Sequence, residues 1–354
     1  MKALVITKAV YDYIMPLVEY PKDGDTFYIN ETINSVTNVG SMSAITLGKY
    51  GVDVNVTSIV GEDEVADKIK EIFKSYQVKT ECIETNYQEK TSISYKIYNS
   101  KTNKFTSINE IGSKSGLTKF KYEFIPDIII MDDKDTDANL AALNNYPKSK
   151  FIYIADKFNR ESNTYLSKCN YVISNLEFAS TATGVVNGLN KGKNIVALFQ
   201  KFVDLYNSNL IIKLDNFDIL YCINDEVRLI KNINKNITNK DNIYISVLIY
   251  FLTLNYDIET TIKLTNKVML NSPSELDLLK DIPDYSFVTN AINDLNTVTG
   301  EITNQTNINN TEVVNNNEQN VIEEFNLNNN INNIPSNNEI NKEINNNGVN
   351  NGSV

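Results

Sequence analysis

Histidine is absent from all 354 residues, so the chain has no imidazole base and no Ser–His or Cys–His nucleophile pair. The usual zinc triads go with it. Proton transfer therefore falls to Asp, Glu, Lys, Tyr or Cys. Cys82, Cys169 and Cys222 are widely separated and have no CxxC spacing, so they build neither a disulfide framework nor a metal knuckle. They read as ordinary thiols in a reducing compartment. Two polar residues stand where helices should begin. Asn175 follows the apolar run Tyr171–Ser174, and Asp241 precedes the apolar stretch Asn242–Leu254. Each residue type suits a helix N-terminus, where it can cap amides or complement the dipole.

The elements that must position these residues follow a strand–helix rhythm. Ala3–Thr7 is a short β-branched run suited to a buried parallel strand. Turn formers and period-two apolar positions over 21–40 predict an excursion of short strands. A helix is expected over Gly40–Tyr50, stopped by Gly51, then a strand over Val52–Val60. Glu64–Tyr76 places Val65, Ile69, Ile72 and Phe73 on one helical face. Alternation of Ile93, Tyr95 and Ile97 marks a strand over Ser92–Tyr98.

In the second half, strands are expected at Asp127–Met131, Phe151–Ala155, Tyr171–Ser174, Asn209–Leu214 and Ile219–Ile223. Helices are expected at Asp137–Asn145, Phe178–Thr183, Asn194–Tyr206, Asn242–Leu254 and Asp257–Val268. The alternation predicts an α/β fold with a mostly parallel sheet covered by helices on both faces.

Residues 1–300 are long enough for one large α/β domain. From 301 to 354 asparagine fills roughly two positions in five, a composition expected to stay disordered. Within that tail Val321, Ile322 and Phe325 could share one helical face. A net charge of −11, with Lys and Arg scattered, argues against a general nucleic-acid binder. Lys8 and Asp12 interrupt the N-terminal apolar run, which fails as a signal peptide. The apolar run Val247–Leu254 is far too short to span a bilayer. No membrane partner and a cytoplasmic location are expected.

Residues 48–80, GKYGVDVNVTSIVGEDEVADKIKEIFKSYQVKT, resemble the N-terminal signature of the ribokinase-like PfkB family of carbohydrate and nucleoside kinases. Tyr50-Gly51, Val60-Gly61-Glu62-Asp63 and Val78-Lys79-Thr80 carry the likeness, which extends over residues 1 to about 290 in the family's order. The resemblance implies a ribokinase-like αβα sandwich with a small β lid, here about 13–40 and 90–110. It also implies ATP with Mg²⁺ and a sugar or nucleoside acceptor.

The resemblance also assigns site residues. Asp12 matches the acceptor-binding Asp, and Asn38 and Gly40 fall in the counterpart of the family's Gly-Gly-x-x-x-Asn motif. That motif here reads Thr37-Asn38-Val39-Gly40-Ser41-Met42, without its leading glycines or its final Asn. Asn175 matches the Asn-x-x-Glu motif on the phosphate and magnesium side, but Phe178 takes the Glu position. The nucleotide strand's Thr-x-Gly-x-x-Gly reads Lys213-Leu214-Asp215-Asn216-Phe217-Asp218, which leaves Lys213 to face phosphate.

The catalytic Gly-Ala-Gly-Asp reads Thr238-Asn239-Lys240-Asp241. Asp241 becomes the candidate base, with Asn239 and Lys240 at the anion hole. Asn266 matches an adenine-side Asn, and no residue is assigned as a metal ligand. The expected activity is phosphoryl transfer from ATP to a hydroxyl, weakened or lost because several motifs are eroded. The alternative is an inactive relative that binds ligands or forms a homodimer through unpaired lid edges.

Overall fold

The computed structural model describes residues 1–119, 121–185, 192–232, 240–273, 277–301 and 311–313. Strand β1 (Lys2–Ile6) leads into β2 (Tyr11–Leu17) and β3 (Ile33–Ser35) before helix α1 (Val39–Lys49). Then follow β4 (Asp53–Gly61), α2 (Glu64–Ser75), β5 (Ile83–Asn86), β6 (Ile93–Asn99) and β7 (Lys104–Glu110). The αβ alternation continues through β8 (Ile128–Met131), α3 (Thr136–Asn145), β9 (Lys150–Ala155), β10 (Tyr171–Ser174), α4 (Leu176–Thr183) and α5 (Gly192–Tyr206). The remaining elements are β11 (Asn209–Lys213), β12 (Ile219–Ile223), β13 (Glu226–Ile230), α6 (Asp241–Thr253), α7 (Ile258–Met269), α8 (Tyr285–Glu301) and β14 (Thr311–Val313).

Ten strands form the main sheet in the order β14-β13-β12-β11-β10-β9-β8-β1-β4-β5. Pairing is parallel from β11 to β5 and antiparallel from β11 through β14. Both faces are covered, and side-chain alternation shows it directly. Ala3 and Val5 of β1 join one core with Ile128 and Ile130, beneath α1, α2, α6, α7 and α8. Leu4 and Ile6 join the opposite core with Ile129 and Met131, beneath α3, α4 and α5.

A second sheet, in the order β3-β2-β6-β7, is formed by the segments expected to make the lid. Its core pairing, β2 with β6, is parallel and seven residues long. Lid strands begin at Tyr11 and end at Ser35 on the N-terminal side, slightly earlier than the expected 13–40. The region from Asn38 belongs instead to α1, because the Asn38 side chain accepts the Ser41 amide at 2.8 Å and starts the helix there.

The expected helices and the other expected strands recur within a residue or two, including Tyr171–Ser174 and Ile219–Ile223 at the same bounds. The excursion of short strands expected over 21–40 is instead a single strand, β3, because α1 already begins at Val39. The tail's 311–313 pair with β13; the rest of 302–354, including Val321, Ile322 and Phe325, lies outside the described residues. Among the described residues no helix is long and apolar enough to cross a membrane.

Candidate functional site

Parallel pairing aligns the C-terminal ends of the central strands, the edge where ligands bind in open α/β sheets. Ile6, Met131, Tyr153, Ala155, Ser174 and Ile212 meet there by register. Thr7, Asp132, Asp156, Asn175 and Lys213 directly follow them. Helix α6 opens onto the same edge, buried at every residue from Ile243 to Thr253 except the partly buried Ile245, and packed along α1, where the Ser43 and Ser246 hydroxyls meet at 3.3 Å.

Asp241 is the first residue of α6, and the preceding Lys240 makes no side-chain cap. The Asp241 carboxylate is 50% exposed and pairs with Lys213, whose side chain is only 13% exposed. Lys213 also lies 4.6 Å above the Phe217 ring and donates to the Leu214 carbonyl at 3.2 Å. Phe217 itself adopts a left-handed backbone, with φ of 65°. Such a conformation costs a bulky residue about 1–3 kcal/mol. Burial of the ring against Tyr244, 5.6 Å away in an edge-on contact, offsets that cost. The turn is closed by Phe217 N–H donating to Leu214 O and Leu214 N–H donating to Asp218 O, both at 2.9 Å. Lys213 is thereby aimed at the N-terminus of α6.

Across the cleft Asp12 is buried, 2% exposed, and its carboxylate is already partnered. Oδ2 accepts from Thr37 N at 2.8 Å and Thr37 Oγ1 at 2.5 Å, while Lys96 Nζ pairs with Oδ1 at 3.0 Å. Lys96 also donates to Thr37 Oγ1 at 2.6 Å. The Asn242 side chain then donates to Thr37 O at 2.7 Å, which ties the triad to α6. Between these groups lies a cavity of about 220 Å³ lined by Thr37, Lys96, Phe105, Ser107, Asp241, Asn242 and Leu278. Asp241 is the single carboxylate among those lining residues.

The remaining expected residues fall elsewhere. Asn38 caps α1 and donates to the Lys8 carbonyl at 2.5 Å, so both ends of its amide serve local structure. Gly40 sits at the strand edge, where a Cβ would lie 2.5 Å from Thr7 Cβ and 2.7 Å from Asp132 Oδ2. Asn175 caps α4 through Phe178 N at 2.7 Å and donates to Asp156 O at 3.0 Å. Phe178 is buried against Phe158 and Tyr153 and offers no oxygen.

Lys240 is 3% exposed and turned from the cleft, with Nζ donating to the Ser272 and Pro273 carbonyls; burial lowers its pKa. A phosphate contact from Lys240 is thus not the arrangement found, because those carbonyls hold its ammonium. The Asn266 amide oxygen accepts from Tyr244 OH at 2.7 Å inside the core. Asn239 lies outside the described residues.

Lys96, Thr37 and Asn242 were not singled out as contributors by sequence reasoning. The signal for Lys96 was present: with Ile93, Tyr95 and Ile97 on one face of β6, Lys96 must occupy the other. Asp132 was also missed. It is fully buried, accepts from Thr7 Oγ1 at 2.5 Å and Lys134 N at 3.0 Å, and is pushed up to about 6 by burial. Because the folded pKa lies above the unfolded value, the folded state keeps this proton longer. Stability should therefore fall as pH rises from about 4 to about 6 and level off above. Relative to Asp132→Asn, the wild type should lose about 1–3 kcal/mol across that window. Urea midpoints at pH 4, 5, 6 and 7 check this; parallel pH profiles for the two proteins would contradict it.

Three comparisons bear on this architecture. Residues 39–270 match the family model described as pfkB family carbohydrate kinase. The chain belongs to the PfkB carbohydrate kinase family. No curated protein sequence matches the chain. Solved structures with this fold include an Arabidopsis thaliana ribokinase complexed with ribose and ATP, at 15% identity and TM-score 0.67, covering 82% of this chain and 98% of that one. A Methanocaldococcus jannaschii nucleoside kinase matches at 14% identity and TM-score 0.65, covering 83% and 98%. A ribokinase from Cryptococcus neoformans in complex with ADP matches at 14% identity and TM-score 0.63, covering 82% and 99%. The sequence signature at 48–80 and the ribokinase-like α/β fold expected from it are both found.

Proposed function

We propose that this PfkB-family chain transfers the γ-phosphoryl group of ATP to a hydroxyl of a small sugar-like acceptor, at a modest rate. The observation that carries this reading is Asp241, a half-exposed carboxylate at the mouth of α6 and, among the described residues, the only one lining the cleft beneath the lid. In the proposed step Asp241 accepts the acceptor's O–H proton as that oxygen bonds to phosphorus and the bond to ADP breaks. Lys213 and the first amides of α6 face the charge that develops. The thiols are poor competitors for the role of base, since burial pushes Cys82 to about 11 and Cys169 to about 12.

ATP enters as substrate, and its polyphosphate finds a cation and a helix N-terminus at one edge. Magnesium is a poorer fit. Among the described residues no group of three His, Cys, Asp or Glu could hold a metal ion, and Phe178 supplies no ligand. The cavity of about 220 Å³ is smaller than the usual small-molecule pocket of about 300–1,000 Å³, which favours a monosaccharide over a nucleoside. Acceptor-dependent ADP formation across monosaccharides and nucleosides tests the reading; absence of ADP with every acceptor, from folded protein, would overturn it.

A second reading, binding without turnover, draws on Asp12: with Thr37 and Lys96 on its oxygens, no open carboxylate greets the acceptor on the lid side. Ligand-induced stabilisation without ADP release would favour that reading.

The proposal also includes a homodimer through the lid. Strand β7 is a sheet edge, exposed along most of its length, and Ile108 is 63% exposed on it. Sedimentation should give a dimer that Ile108→Lys converts to monomer; a monomeric wild type would sink the dimer. The three free thiols fit a reducing, cytoplasmic setting.

A further inference from the structure

We infer that the acceptor carries an anionic oxygen group, a carboxylate or a phosphate ester, which the lid recognises through Lys96 and Ser107. The inference rests on the kinase reading for its location but not for its chemistry. A neutral polyol offers hydroxyls, and a wall that holds hydroxyls well presents a carboxylate that can accept from two of them. Asp12 is not such a group here. Three donors occupy its two oxygens, and its side chain is 2% exposed behind Thr37 and Lys96.

What the lid shows to the cleft instead is the cation. The Lys96 ammonium has three N–H groups; one goes to Asp12 and one to Thr37 Oγ1, which leaves a third. Ser107 stands directly opposite Lys96 on the neighbouring strand and lines the same cavity. The lid wall is therefore built of donors, with the balancing negative charge buried at its back.

The facing wall presents a carboxylate. Asp241 is half exposed, while its partner Lys213 is mostly covered. The cleft thus runs from the ammonium and hydroxyl of the lid to the half-exposed Asp241 carboxylate at the start of α6. A ligand that fits both walls places an anionic oxygen group against Lys96 and Ser107 and a hydroxyl against Asp241. A polyhydroxylated carboxylate or a sugar phosphate of one ring has both ends within a cavity of about 220 Å³.

Calorimetric titration of the full chain, without ATP, with ribose, ribonate and ribose 5-phosphate tests this. At least one charged ligand should bind about tenfold or more tightly than ribose, as a charge-assisted contact predicts. Which charged ligand wins identifies the anionic group. Lys96→Met should abolish that preference. If burying an unpaired Asp12 prevents folding, the double variant Lys96→Met with Asp12→Asn removes both charges and should show the same loss. Ser107→Ala should weaken the charged ligand about threefold while leaving ribose unaffected.

Ribose binding as tightly as both charged ligands, or no charged ligand binding at millimolar concentration, overturns the inference. So does a preference that survives loss of Lys96. Because no ATP is present, these outcomes are separate from those that decide the kinase reading. Phosphoryl transfer to neutral ribose with no anion preference would leave a kinase and remove this inference alone.

Discussion

Asp241→Asn should lower phosphoryl transfer by about 10²–10⁴-fold while leaving ligand affinity within a few-fold of wild type. The asparagine keeps the size and a hydrogen-bonding oxygen but cannot take the acceptor's proton. Little of the fold is at stake. The side chain is half exposed, the helix behind it is held by its buried run from Ile243, and the preceding Lys240 carbonyl still accepts the Tyr244 amide at 2.8 Å. The loss should therefore appear in kcat rather than in KM, because the missing interaction exists only in the transition state. A variant that transfers phosphate at the wild-type rate would remove Asp241 from the chemistry, whatever its place in the fold.

Lys213→Met should cost about 10²-fold in kcat/KM for ATP, with a larger share in KM than Asp241→Asn shows. Lys213 has three partners in the structure, the Asp241 carboxylate, the Leu214 carbonyl and the face of Phe217. When a polyphosphate arrives, the same ammonium can serve it, and Asp241 is then released toward the acceptor. Methionine preserves the stem's packing over Phe217 and removes only the charge. Steady-state kinetics with varied ATP separate the two effects. Unchanged affinity for ATP would assign Lys213 solely to holding Asp241.

The long periodic elements were legible because burial on both faces leaves an unmistakable apolar run. Ile128–Met131 and Tyr171–Ser174 are cases in which the main chain had one sensible reading. Strand β2 was harder. Tyr11–Leu17 mixes Asp12 and Pro16 with aromatics and lacks the β-branched run that marks a buried strand, so its pairing with β6 emerges only in three dimensions. Helix α8 and strand β13 were missed for other reasons: Asn and Thr interrupt the apolar positions of α8, and β13 is a five-residue segment fixed by its pairing with β12.

At the site, the resemblance pointed to Asp12, Lys213 and Asp241; in the structure Asp241 lines the cleft, Lys213 pairs with it, and Asp12 lies buried behind Thr37 and Lys96. It could not find what holds them. Lys96 lies 84 positions from Asp12 and Asn242 lies 205 from Thr37, and no local pattern links such pairs. Asn38 and Asn175 matched ligand contacts by alignment, and Asn175 also read as a helix cap; both cap helices in the structure, while their amides donate to the Lys8 carbonyl and to Asp156. Phe217 shows how a turn can keep a left-handed residue without glycine, provided a buried ring offsets the backbone cost.

The measurement that bears most directly on the central claim is transfer of labelled γ-phosphate from ATP to isolated acceptor, wild type beside Asp241→Asn. The account predicts labelled acceptor with wild type and at least a hundredfold less with the variant. Equal labelling by both proteins, or no labelled acceptor from folded wild type with neutral and anionic sugars alike, would contradict it.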